Sequence, residues 1–162
     1  MKKANSLVLL LGIVSFGMSV VMPSRALAIC TGTYYATEFA DGGSHPPTGY
    51  SLWTFSEDGS VVFGSSNEPA GPFGTSQGNW RPAQNANKIK SKAFNFSGPG
   101  TTYPQVARVE ATFAFKNNCS GTVGGQSKFS VTLCLVSDGP LCSPGTRIVT
   151  DALIELTRVS SN

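Results

Sequence analysis

Val106-Ala107-Arg108-Val109-Glu110-Ala111-Thr112-Phe113-Ala114-Phe115-Lys116 alternates its side chains. Val109, Ala111, Phe113 and Phe115 share one face. Arg108, Glu110, Thr112 and Lys116 share the other. A period of two belongs to an extended strand with one dry face and one wet face. Ser127–Val136 repeats the pattern, setting Phe129, Val131, Leu133 and Leu135 against Lys128, Ser130 and Thr132.

Reading outward from these two segments, strands recur and helices do not. After residue 29 no run of ten residues has a 3.6-residue period, and no capping box occurs. Further strands are expected at Thr31–Thr37, Tyr50–Ser56, Ser60–Ser65, Ser76–Arg81, Lys88–Ser97 and Thr146–Val159. Gly and Pro residues punctuate the intervals. Glu57-Asp58-Gly59 joins two of the strands, and Asp-Gly between apolar runs is a hairpin cue. The composition agrees: 18 Gly, 10 Pro and only 13% charged residues do not suit a helical scaffold.

Eight sequential antiparallel strands must dispose of their edges. The fold class is therefore all-β, a single eight-stranded antiparallel up-and-down barrel. A two-sheet β-sandwich is the alternative. Residues 29–162 form one domain, since no segment between the loops 41–48, 67–74 and 98–104 buries a core alone.

Residues 1–28 read as a signal peptide. Lys2 and Lys3 precede an apolar run from Leu7 to Met22, and Ala26-Leu27-Ala28 is a small-residue cleavage site. The run is short for a membrane span. The expected localisation is secreted or periplasmic, with no membrane association after cleavage. Cys30 follows Ile29, which is not the small residue that lipoprotein processing needs, so Cys30 is read as a disulfide partner. Removal of Lys2, Lys3 and Arg25 takes twelve basic residues to nine, against nine acidic ones. The mature chain is formally neutral, which argues against nucleic acid as a partner.

Cys30, Cys119, Cys134 and Cys142 are even in number in an exported chain, the pattern of disulfides. No C-x-x-C occurs, which argues against zinc or a redox centre. Four cysteines allow three connectivities; Cys134 and Cys142 flank Asp138-Gly139-Pro140, a turn sequence, so the expected pairing is the one in which they meet across it. That leaves Cys30 with Cys119.

Gly32-Thr33-Tyr34, Trp53-Thr54-Phe55-Ser56-Glu57-Asp58-Gly59-Ser60-Val61 and Gly78-Asn79-Trp80 together resemble small secreted lipocalin-like (calycin) barrels. They are also similar to allene-oxide-cyclase-like and dirigent-like barrels. Lipocalins carry Gly-x-Trp on the first strand, where the ring plugs the barrel base. Here the first strand has Gly-x-Tyr, and Gly-x-Trp falls on the fourth. The resemblance covers most of the mature chain and implies a barrel more than an activity.

Catalytic chemistry is sparse. His45 is the single histidine and sits in a loop. No P-loop, G-x-S-x-G or H-E-x-x-H is present. Glu110, Asp151 and Glu155 are the carboxylates that a cyclase-like barrel enzyme would use. No catalytic residue, cofactor or metal is assigned, and an enzyme is the less favoured reading.

Lys88, Lys90 and Lys92 share a strand face that Phe94 and Phe96 continue. Two structural explanations exist: a bulge near Ala93, or lysines guarding an edge strand. The functional one is a basic rim leading into an aromatic interior. The expected partner is then a small apolar or amphipathic ligand such as a fatty acid, held by Trp80, Lys90, Lys92, Phe94, Phe113, Phe115 and Phe129. The alternative is a non-catalytic extracellular interaction or structural module with a filled core.

Overall fold

A computed structural model describes residues 30–39, 46–66, 74–83, 87–96, 105–138 and 142–159. Residues 1–28, expected above to be a signal peptide, and His45 lie outside the described residues. The strands are β1 (Gly32–Phe39), β2 (Gly49–Phe55), β3 (Ser60–Ser65), β4 (Ser76–Pro82), β5 (Lys88–Phe96), β6 (Gln105–Ala114), β7 (Lys128–Leu135) and β8 (Thr146–Arg158). Each pairs antiparallel with its neighbours in chain order, and β8 returns to pair with β1, so the sheet closes into an eight-stranded up-and-down barrel. It is consistent with a lipocalin-like architecture. Closure removes every edge and sets the two-sheet alternative aside.

Closure also disposes of both structural explanations for the lysines. The β5–β6 register runs unbroken from Lys88↔Ala114 to Phe96↔Val106, with no bulge, and β5 is not an edge. Ile89, Ser91, Ala93 and Asn95 point inward and are buried. The whole alternate set, from Lys88 through Phe96, faces outward.

Rings fill the interior. Tyr34, Trp53, Phe55, Phe113 and Phe115 are each no more than 2% exposed. Trp53 stacks on Phe63 with centroids 4.0 Å apart. Phe55 meets Phe113 and Phe115 edge-on at 5.3 and 6.0 Å. Buried Ala36, Ala93 and Ala111 occupy inward positions where a larger side chain would compete with these rings for volume.

The two ends of the barrel differ. At one end the Tyr34 hydroxyl donates to the Cys30 and Cys119 carbonyls at 3.1 and 3.2 Å. The Cys30–Cys119 disulfide ties the start of the described chain to the turn after β6. Near the other end, Trp53 Nε1 donates to Ser51 Oγ at 2.9 Å, and Ser51 Oγ donates to buried Glu38 at 2.6 Å. On the outside, the Cys134–Cys142 disulfide forms a small cluster with Val106 and half-buried Phe94.

β8 bends. Its register against β7 shifts twice between Phe129 and Thr132, and Asp151 adopts φ +49°. Asp tolerates that region better than most residues. The Asp151 N–H donates to Ser130 Oγ at 3.0 Å, across the bend.

Candidate functional site: a basic groove on the outer wall

In an antiparallel sheet, directly paired residues share a face, so register places side chains in rows across the strands. One outward row on β4 to β7 is Arg81, Lys90, Thr112 and Lys128. The next is Asn79, Lys92, Glu110 and Ser130. A third holds Phe94, Arg108, Thr132 and, on β8, Arg147. The irregular stretch of β8 around Asp151 borders these rows. A groove of about 780 Å³ is lined here by side chains of the first two rows together with Gln126, Arg147 and Asp151.

Five cations line it against two carboxylates: Arg81, Lys90, Lys92, Lys128 and Arg147 face Glu110 and Asp151. Lys92 Nζ lies 3.0 Å from Glu110, and Arg108 lies 3.5 Å from the other oxygen of the same carboxylate. That pairing neutralises the middle row. Among the described residues, Arg81, Lys90, Lys128 and Arg147 make no ion pair. A cluster of like charges left without counter-charges is what an anion site needs in the absence of its ligand.

The opposite wall is different in kind. The outward side chains of β1 to β3 include Thr33, Tyr35, Thr37, Tyr50, Leu52, Thr54 and Val62, and none of these is charged. The lysines and arginines of the strands thus all lie on β4 to β8.

The residues singled out in the sequence occupy three places. Lys90 and Lys92 stand in the groove, which Trp80 also borders. The Trp80 indole donates to the Ser56 carbonyl at 2.9 Å, and its ring meets Phe55 edge-on. Phe113 and Phe115 lie in the packed centre, with Phe129 partly buried against it. Phe94 sits in the outer disulfide cluster. The structure therefore brings the lysines together with other polar groups on the outer face they share with Phe94, and separates them from Phe113, Phe115 and Phe129.

The three carboxylates considered for acid–base work also divide. Glu110 is held by Lys92 and Arg108, Asp151 approaches Ser130 Oγ at 3.5 Å, and Glu155 is exposed opposite Thr37. Among the described residues the buried carboxylate is Glu38, one alternation beyond the Tyr34 and Ala36 positions. Extending the first strand past Thr37 would have found it. Arg81, Lys128, Asn79 and Ser130 were not picked out, because cross-strand rows depend on register, which no single strand reveals. Among the described residues, no group of three or more His, Cys, Asp or Glu side chains is placed to hold a metal ion. No protein-family model, curated protein or solved structure matches this chain.

Proposed function

We propose that the chain is an exported, non-catalytic binding barrel that holds an anionic ligand in the outer groove of β4 to β8. The observation that carries the reading is the set of four cations without ion pairs gathered in one concave site. Two disulfides fit an oxidising compartment outside the cytoplasm. A wall studded with Arg and Lys is also unlike the apolar band that a lipid-facing barrel carries. The ring-filled centre suits a rigid scaffold, which holds a binding face in place at little entropic cost.

A second reading is a lipocalin-like carrier of a small apolar or amphipathic ligand inside the barrel. Phe129 and Val131 favour it, since both face inward yet are only partly buried.

Titration of the 15N-labelled mature chain separates the two readings. Sodium citrate at low salt serves as the small-anion probe and laurate as the amphipathic probe. The outer-groove reading expects citrate to shift the amides of Lys90, Lys92, Thr112, Lys128 and Ser130. Laurate shifts at Phe113, Phe115 and Phe129, with no citrate response, would overturn it in favour of the carrier.

A further inference from the structure

We infer that the ligand of this groove is a linear acidic oligosaccharide, bound across the strands with its carboxylates on the Arg81–Lys90–Lys128 row. The inference deepens the outer-groove reading and rests on it.

The first observation is direction. Arg81, Lys90, Thr112 and Lys128 are mutual register partners on four successive strands. Neighbouring strands lie about 4.8 Å apart, so the row spans about 14 Å perpendicular to the strands. This is a line of charge, not a point. It fits an extended ligand carrying several anionic groups, with a repeat comparable to one or two strand spacings. A pyranose chain has such a repeat.

The second observation is the mixture of groups. The adjoining row offers an amide at Asn79 and the Lys92–Glu110 pair, with Asp151 and Gln126 beside it, while its fourth member, Ser130, is buried and bonded to Asp151. The Asp151 carboxylate, which makes no ion pair among the described residues, disfavours a polymer bearing a phosphate on every unit more than one of lower charge density. Carboxylates accept hydrogen bonds from sugar hydroxyls. Amides both donate and accept, as hydroxyl-rich ligands require. Charge on one row and neutral polar chemistry on the next therefore match a chain that carries carboxylates and hydroxyls in alternation.

The third observation is the balance of charge in the chain. Nine basic and nine acidic residues remain after residue 28, so the domain exerts little long-range attraction on a polyanion. Selection must come from short-range contacts in the groove, which again favours a ligand of modest charge density.

The test compares four probes by calorimetry on the mature chain. They are trigalacturonate, its methyl ester, inorganic tripolyphosphate and a deoxythymidine oligonucleotide. Trigalacturonate is expected to bind most tightly. Esterification, which removes the charge and keeps the hydroxyls, is expected to weaken binding by about tenfold or more. Asn79→Ala is expected to weaken the acid and the ester alike, whereas Lys90→Gln weakens only the acid. Tighter binding of tripolyphosphate or the oligonucleotide would overturn the saccharide inference while leaving the anion groove standing. Equal affinity for acid and ester would overturn it in favour of neutral glycan binding. Failure of every anionic probe to bind would remove the groove reading itself.

Discussion

Arg81 and Lys90 stand directly opposite each other on β4 and β5, two cations in one cross-strand pair. Like charges in that position cost stability, by up to about 1 kcal/mol. A sequence shaped only for folding has no reason to keep them together. Lys90→Gln is therefore expected to raise stability, by about 0.5 kcal/mol in urea unfolding at low salt, while weakening anion binding. A variant that lost both stability and binding would mean that Lys90 supports the fold instead. The gain should shrink with added salt, since the pair is exposed.

Tyr34 gives the barrel a pH dependence on the alkaline side. Burial pushes its phenol above the ordinary value of 10.0, and the Arg158 guanidinium offsets this only in part. A raised value in the folded state means that the unfolded chain ionises first. The contribution is fully present below about pH 10 and is lost as pH rises through the folded value. Urea midpoints from pH 8 to 11.5 should be level and then fall. Tyr34→Phe should be less stable throughout, having lost the bonds to the Cys30 and Cys119 carbonyls, and should show a shallower fall.

The two disulfides should differ in weight. Cys30 and Cys119 are 89 residues apart, and Cys134 and Cys142 are 8 apart. The chain-entropy account assigns about 4.5 kcal/mol to the first and about 2.5 to the second. Thermal unfolding of the paired alanine variants checks the order. The Cys30/Cys119 variant should lose more, and the reverse order would show that the outer cluster with Phe94 matters more than loop closure.

Gly78 faces Ala93 across β4 and β5, and a Cβ there would overlap the Lys92 carbonyl and the Ala93 Cα. Backbone atoms of a closed barrel yield little. Gly78→Ala should cost about 1–3 kcal/mol. It should also disturb the groove, because Lys92 lies on the displaced segment. An alanine variant of native stability would show that the strands can separate there.

Most of the fold was legible because period two is local. The alternation in Val106–Lys116 and Ser127–Val136 marks strands without knowledge of their partners, and eight such strands in sequence imply closure. The site was only half legible. Lys90 and Lys92 stood out by spacing within one strand, but their neighbours Arg81, Thr112 and Lys128 come from three other strands. The shared face of Lys92 and Phe94 was likewise visible. That this face points outward depends on Ile89, Ser91, Ala93 and Asn95 taking the interior, where Ile89 and Ala93 join the ring-filled core and Asn95 bonds the Gly74 backbone. The bend of β8 at Asp151 carried no glycine to announce it.

The row Arg81–Lys90–Lys128 is proposed to bind an anionic chain. The measurement that tests this is the salt-dependent affinity of residues 29–162 for trigalacturonate, compared with an Arg81→Gln/Lys90→Gln/Lys128→Gln variant of verified fold. The expected result is at least about a hundredfold loss, near 2.7 kcal/mol, together with a flattened salt dependence. Unchanged affinity and an unchanged salt slope in that variant would contradict it.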